Sequence, residues 1–138
     1  MPVYDQKVAI VIRVDLLDWQ KLNIAAFLAS AVAVQFSETH GQPFVTADQV
    51  RYLPFIKHPV LIYQADGIEQ MRRTLARGKD RDLAIGIYTR PLFATKGEGG
   101  NLAAIAQLAD TEQDLVGLVL YGENNKVDKA LQGLKFHP

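Results

Sequence analysis

Six polar side chains of this sequence could do chemistry, and they fall into two short stretches that each follow a run of apolar residues. They supply two guanidinium groups, a carboxylate, an amine, an amide and a hydroxyl, from Arg13, Asp15, Lys21 and Asn23 in the first stretch and from Thr89 and Arg90 in the second. An amine surrounded by hydrogen-bond donors can position or activate a nucleophile, as in the hydrolysis of an ester or a related bond. We therefore predict that Lys21 is the catalytic residue and that the other five side chains bind the ligand.

The same residues also have a structural interpretation. Arg13 and Asp15 are close enough in sequence to form an ion pair, and Lys21 can be a solvated residue near the start of a helix. The sequence leaves both interpretations open. It therefore supports two hypotheses of different classes: a hydrolase that uses Lys21, or a non-catalytic module that binds a small molecule or associates with itself.

Four apolar runs are predicted to form the strands that position these side chains. They cover residues 7–14, 60–65, 83–88 and 116–121, and segments with helical character separate them. Strands without polar alternation are typical of a sheet that is covered on both faces. The order predicts an α/β fold, namely a three-layer α/β/α sandwich with a mixed sheet of about four core strands, in a single domain of residues 1–138. Each polar stretch follows a strand, and the carboxyl edge of such a sheet is the usual place for a site.

The helix predicted after the first strand is apolar on every face. Residues 24–34 contain one serine and otherwise only apolar side chains, and Asp18 or Asn23 can cap the start of the helix. Such a helix is expected to be buried on more than one side, and a subunit interface is a reasonable second cover. We therefore expect a homodimer that buries part of this helix or a small hairpin predicted from Phe44 to Leu53.

Other patterns in the chain indicate no chemistry. Residues 97–100 contain three glycines and predict a mobile surface loop, with Asn101 as the cap of the helix that follows. The basic residues between positions 72 and 81 are diluted by acidic ones, which is typical of a solvated helix end. The three histidines lack metal-ligand spacing and the chain has no cysteine, so no metal site and no cofactor are expected.

Composition and charge restrict the partners. The chain has 15 basic and 15 acidic residues, so no net field attracts it to nucleic acid, which is not favoured as a partner although a local patch is not excluded. Residues 24–34 are too few to cross a bilayer, which needs about 20 apolar residues. The N-terminal residues do not resemble a signal peptide. We expect a cytoplasmic protein without a membrane partner.

Both ends of the chain carry motifs that resemble one known family. Residues 13–16 read Arg-Val-Asp-Leu, residues 21–23 Lys-Leu-Asn, residues 24–31 Ile-Ala-Ala-Phe-Leu-Ala-Ser-Ala, residues 127–129 Val-Asp-Lys and residues 134–136 Leu-Lys-Phe. These motifs resemble the Arg-x-Asp-Leu strand end, the Lys-Gly-Lys loop, the Ile/Val-Ala-Ala-Gln-x-x-His-Ala helix and the closing segments of the archaeal and eukaryotic type of peptidyl-tRNA hydrolase. The resemblance implies the peptidyl-tRNA hydrolase 2-like fold and a functional lysine at Lys21.

Several residues depart from the pattern of that family. Asn23 stands in place of the second lysine, Phe27 and Ser30 replace the glutamine and the histidine of the helix, and residues 89–93 read Thr-Arg-Pro-Leu-Phe where the family has Asp-Ala-Gly-x-Thr. The chain therefore resembles an uncharacterised bacterial family of the same superfamily, in which a Trp-Gln-Lys-Leu-Asn segment recurs. The missing carboxylate and threonine imply that peptidyl-tRNA hydrolase activity is lost.

Overall fold

Strands and helices alternate along most of the chain in the computed structural model, which describes residues 4–138. The described residues form seven strands and four α-helices: β1 (Gln6–Arg13), α1 (Asp18–Gln35), β2 (Phe44–Val45), β3 (Arg51–Tyr52), β4 (Val60–Ala65), α2 (Ile68–Asp80), β5 (Ala84–Thr89), α3 (Glu98–Ala106), β6 (Leu115–Glu123), α4 (Asn124–Ala130) and β7 (Lys135–Phe136). A short 3-10 helix, Arg90–Ala94, follows β5 directly.

The main sheet is mixed, and in the described part of the chain it has five strands in the order β5-β6-β1-β4-β7. β1 and β4 are parallel, β6 runs antiparallel between β1 and β5, and β7 is antiparallel to β4. The predicted mixed α/β fold is confirmed, but the prediction of about four strands is wrong by one. The additional strand, β7, has two residues, and such a short strand leaves no apolar run in the sequence.

Helices lie on both faces of this sheet, and each face has its own hydrophobic core. Val8, Ile10 and Ile12 of β1 pack with α1, whereas the alternate residues Ala9 and Val11 belong to the core that includes α2 and α4. Successive side chains of a strand point to opposite faces, so a strand covered on both faces is apolar throughout. This explains the unbroken apolar run of β1.

The helix α1 is buried along one stripe only. Ile24, Leu28 and Val32, each four residues from the next, pack on the sheet, whereas Leu22 is 71% and Val34 is 86% exposed. The expectation that this helix is buried on several sides is wrong for the single chain, because one sheet face reaches only one stripe of a helix.

The first turn of α1 is held by a side chain that the sequence did not single out. Gln20 Oε1 accepts a hydrogen bond from the Leu17 N–H at 3.0 Å, and the Asn23 side-chain amide donates to the Trp19 carbonyl oxygen at 3.0 Å. Neither Asp18 nor Asn23 is the cap of this helix, since Leu17 occupies the N-cap position.

Two smaller elements complete the described structure. β2 and β3 form the hairpin that was predicted from Phe44 to Leu53. The helix α3 begins at Glu98, so the prediction of an irregular loop over residues 97–100 with Asn101 as the helix cap is wrong. Glycine weakens a helix by about 0.5–1 kcal/mol per residue, which is not enough to prevent helix formation here. None of the helices in the described chain combines the length and apolar character that are required to cross a membrane.

Candidate functional site

The two polar stretches meet at one edge of the main sheet. β1 ends at Arg13 and β5 ends at Thr89, and the antiparallel strand β6 lies between them with its first residue, Leu115, at the same edge. Asp114, the residue before β6, therefore lies between the ends of β1 and β5. Strand order thus brings together polar residues that are far apart in sequence.

Two arginines and two aspartates form an ionic cluster at this edge. Arg13 donates to Asp15 from Nε (3.0 Å to Oδ1) and Nη2 (2.7 Å to Oδ2), and to Asp114 from Nη1 (3.3 Å to Oδ1). Arg90 Nε donates to Asp114 Oδ2 at 3.1 Å, and Arg90 Nη2 lies 3.9 Å from Asp15 Oδ2. Each aspartate thus lies near both arginines, and the four charges cancel.

Arg13 is the most buried member of this cluster. Its side chain is 13% exposed, and Nη1 also lies 3.4 Å from the Leu115 carbonyl oxygen, to which it donates. The Arg13 hydrogen bonds, with a smaller contribution from the Arg90 charge, hold the pKa of Asp15 below its usual value of 3.8. The cluster joins β1 to β6 and to the segment after β5, which agrees with the interpretation of Arg13 and Asp15 as a structural ion pair.

A cavity of about 680 Å³ lies between α1, the edge strand β5, the Arg90–Ala94 helix and the start of α3. Cavities of roughly 300–1,000 Å³ are the usual size of small-molecule sites. Among the six predicted site residues, Asn23 lines this cavity, and the other five do not: Arg13, Asp15, Lys21, Thr89 and Arg90.

Lys21 and Thr89 therefore do not lie together in one site. Thr89 is buried beneath the surface, with 1% of its area exposed. Lys21 is half-buried on α1, outside the cavity lining. The structure brings Arg13, Asp15 and Arg90 together in the ionic cluster, but it leaves Lys21 and Asn23 outside that cluster.

Aromatic side chains form one wall of the cavity. Phe93 lies edge-on to Trp19, with ring centroids 5.6 Å apart, and 5.1 Å from Tyr88, which in turn lies 6.1 Å from Phe27. Trp19 is 51% and Phe27 is 55% exposed although both line the cavity. Burial raises the pKa of the Tyr88 phenol above its usual value of 10.0. We refer to Trp19, Phe27, Tyr88 and Phe93 as the aromatic wall.

Polar groups are concentrated at the end of the cavity next to α3. Thr95, Lys96, Glu98 and Asn101 line this end, and the Thr95 hydroxyl is hydrogen-bonded to the Asn101 side chain. Gly97 precedes α3, and a Cβ placed there would meet no atom within 4 Å. The polar end therefore offers one cation, one anion, amide and hydroxyl groups, together with open space beside the backbone.

The sequence does not single out Asp114 or the aromatic wall. Asp114 lies 101 positions from Arg13 and precedes a strand, whereas the prediction considered polar residues that follow strands. Trp19 and Phe93 are close in sequence to Lys21 and Arg90, and this proximity of aromatic residues to both polar stretches is the signal that could have indicated the wall.

The ionic cluster and the cavity differ in composition. Asp15, which follows β1, and Asp114, which precedes β6, are engaged by arginines. Within residues 4–138, no three histidine, aspartate or glutamate side chains are grouped so that they could hold a metal ion. The cavity instead combines a large apolar surface with a few polar groups, which is the usual composition of a small-molecule site.

Comparisons with known proteins identify relatives but no activity. A family model described as "Protein of unknown function (DUF2000)" matches residues 6–138. A solved structure of a protein of unknown function from Agrobacterium tumefaciens strain C58 is similar along almost the whole chain, with 31% sequence identity and a TM-score of 0.93, covering 99% of this chain and 100% of the other. No curated protein matches the chain.

Proposed function

The chain belongs to the DUF2000 family, whose function is unknown, and we propose that it is a binding module that takes a planar, mainly apolar small molecule into the cavity beside α1. The observation that carries this proposal is the aromatic wall, because exposed aromatic side chains that cluster around one cavity are typical of a ligand site. Trp19 and Phe27 are each about half exposed, and both face a cavity large enough for a metabolite.

The cavity lining supports a particular class of ligand. Aromatic rings bind a planar apolar body through stacked or edge-to-face contacts, which contribute about 0.5–1.5 kcal/mol beyond the buried area. Asn23 and Asn101, on two different helices, offer amide donors and acceptors that can fix the orientation of such a body. A ligand with a flat apolar body and one hydrogen-bonding end fits this distribution.

A binding titration with matched variants tests the proposal. Anilinonaphthalene sulfonate, a fluorescent probe with a flat apolar body and a polar end, is titrated into the wild-type protein, into Ala31→Phe and into Ala26→Phe. Ala31 and Ala26 are both exposed alanines of α1, but only Ala31 lines the cavity. We expect saturable binding that Ala31→Phe weakens by about tenfold or more, while Ala26→Phe stays within about twofold. Equal binding to both variants would contradict the proposal.

We also propose that the family belongs to the peptidyl-tRNA hydrolase 2-like superfamily and that this member lacks the hydrolase activity. The resemblance of the motifs at both ends of the chain supports the superfamily, and the segment that replaces the Asp-Ala-Gly-x-Thr loop supports the loss of activity. This segment forms the Arg90–Ala94 helix, in which Phe93 belongs to the aromatic wall and Arg90 is bound to Asp114. The alternative is a hydrolase of an ester or a peptidyl-tRNA-like substrate that uses Lys21, and a turnover assay beside Lys21→Ala distinguishes the two.

The proposal also includes self-association of the chain. We propose that residues 1–138 act as one domain in the cytoplasm and that the protein is a homodimer. The support is the amount of apolar surface that the single chain leaves uncovered, including Leu22 and Val34 of α1 and the hairpin formed by β2 and β3. Exposed apolar patches of this kind are typical of interaction surfaces.

A further inference from the structure

The hairpin and the residues that follow it form an apolar surface outside both hydrophobic cores. Six large apolar side chains between positions 44 and 55 are exposed: Phe44 (50%), Val45 (48%), Val50 (45%), Tyr52 (61%), Leu53 (83%) and Phe55 (71%). We refer to residues 44–55 as the arm. None of its apolar side chains belongs to the two cores of the described chain.

The arm is attached to the domain by backbone hydrogen bonds at its base. The Gly41 N–H donates to the Phe55 carbonyl oxygen at 2.9 Å, and the Lys57 N–H donates to the Thr39 carbonyl oxygen at 2.8 Å. A Cβ on Gly41 would lie 2.6 Å from that carbonyl oxygen, so this close approach requires glycine. The arm is therefore held in place at its base, while its apolar side chains stay in water.

A two-stranded hairpin is marginally stable by itself and normally packs against another element. In the described chain, the apolar contacts of the arm include its own pair Phe44 and Phe55, whose ring centroids are 4.7 Å apart. Both residues of β2 and both residues of β3 are exposed. Residues 4–138 therefore leave the arm uncovered, and a second molecule is a source of cover for it.

The exposed area of the arm is close to what a stable dimer needs. An aromatic side chain has about 150–250 Å² of surface, so the exposed fractions of Phe44, Tyr52 and Phe55 amount to roughly 350 Å². The three aliphatic side chains bring the total to about 600 Å², which equals the largest apolar patches of typical monomers. Two such arms would bury at most about 1,200 Å², the lower limit of specific protein interfaces, and they reach it only if the contact covers both faces of each hairpin, because Phe44 and Val45 point to opposite faces.

The charges of the arm also favour a second copy as the partner. Asp48 and Arg51 are its acid and its base, so the arm has no net charge and does not repel a copy of itself. A two-fold axis lets the acid of each arm approach the base of the other, and it brings identical apolar surfaces together. A partner selected by charge would instead require an excess of one sign.

We propose that the arm is the surface through which two copies of this chain associate, by an isologous contact in which each arm covers the other. This inference rests on the proposed homodimer and specifies its interface, which the sequence left open between α1 and the hairpin. The contact removes the apolar side chains of both arms from water, and this burial is the source of its free energy.

Analytical ultracentrifugation of the wild-type protein and three matched variants tests the proposal. Leu53→Glu introduces a charge into the arm, Val34→Glu introduces the same charge into the exposed face of α1, and Leu102→Glu introduces it into α3. All three side chains are largely exposed in the single chain, so each variant is expected to fold, and circular dichroism is the check on folding.

We expect the wild type to be dimeric at tens of micromolar, and Leu53→Glu to raise the dissociation constant of the dimer by about tenfold or more. Val34→Glu and Leu102→Glu should leave it unchanged within about twofold.

Other outcomes overturn the inference in distinguishable ways. A wild-type protein that is monomeric throughout this range would overturn both the arm contact and the proposed homodimer. A dimer that Val34→Glu dissociates and Leu53→Glu does not would overturn the arm contact alone and would place the interface on α1. A dimer that Leu53→Glu leaves intact would likewise exclude the arm.

Discussion

Replacing Gly117 with alanine should destabilise the protein by about 2–3 kcal/mol, because this glycine lets α1 lie directly on the sheet. A Cβ at this position of β6 would lie 2.4 Å from Ile24 Cγ2, 3.2 Å from Leu28 Cδ1 and 3.4 Å from Tyr88 Cβ. Non-bonded carbon atoms normally approach to about 3.5–4.0 Å, so the overlap with Ile24 exceeds an ångström. Ile24 is fully buried, and the overlap can be relieved only if α1 moves outward or the side chain leaves its preferred rotamer.

Urea unfolding measures this effect. With a slope of about 1–3 kcal/mol per molar urea for a chain of this size, we expect the midpoint to fall by about 1 M while the slope stays unchanged. Gly99→Ala is the matched control, because a Cβ there meets no atom within 4 Å and α3 should gain up to about 1 kcal/mol in stability.

A double-mutant cycle identifies the atom that causes the loss. Ile24→Ala removes the methyl group that the new Cβ would strike, so Gly117→Ala should cost at least about 1 kcal/mol less in that background. Two results would refute the packing argument: a Gly117→Ala midpoint within about 0.3 M of the wild type, or additive effects of the two substitutions.

Three further predictions concern the strand-end residues. Asp114→Asn weakens the hydrogen bonds from Arg13 and Arg90 and should lower the free energy of unfolding, measured in urea, by about 1–2 kcal/mol. This is less than the loss for a fully buried pair, because Asp114 is partly exposed. An unchanged midpoint would show that the cluster contributes nothing to stability. The pKa of Asp15 is lowered in the folded protein, so the stability that its carboxylate contributes is complete well above pH 3.8 and is lost as the pH falls below that value. Asp15→Asn should therefore reduce the acid dependence of the urea midpoint, and a pH profile identical to that of the wild type would contradict this. Loss of a cooperating catalytic group commonly costs roughly a thousandfold or more in rate, so we expect no enzyme-like hydrolysis of a peptidyl-tRNA mimic; turnover that Lys21→Ala abolishes would reverse that conclusion.

The strands of the fold were predictable because burial on both faces leaves an apolar run of six or more residues. β1, with residues such as Ile10 and Val11 on opposite faces, follows this rule, and β4, β5 and β6 were also recognised as strands. β7 was not predictable, since two residues that pair with the edge of β4 carry no pattern. The buried stripe of α1 was not predictable either, because a helix that is apolar on every face does not indicate which face meets the sheet.

The ionic cluster was predictable in part. Arg13 and Asp15 are neighbours in sequence, so their pairing could be foreseen as one alternative. The link from Arg13 to Asp114 depends on β6 lying between β1 and β5, and strand order cannot be read from local sequence patterns. The cavity is also a product of tertiary structure, because α1 forms one wall and the continuous segment from β5 to α3, far from α1 along the chain, forms the other.

The most direct test of the binding proposal is an amide NMR titration of the protein with anilinonaphthalene sulfonate. Gly86 of β5 lines one side of the cavity, and Gly97 and Asn101 line the end next to α3. We predict that the backbone amide resonances of these three residues shift most and saturate together. The same titration of Ala31→Phe should leave these resonances in place. Shifts confined to residues 44–55, or no saturable shift at the cavity residues, would contradict the proposal that this cavity is the ligand site.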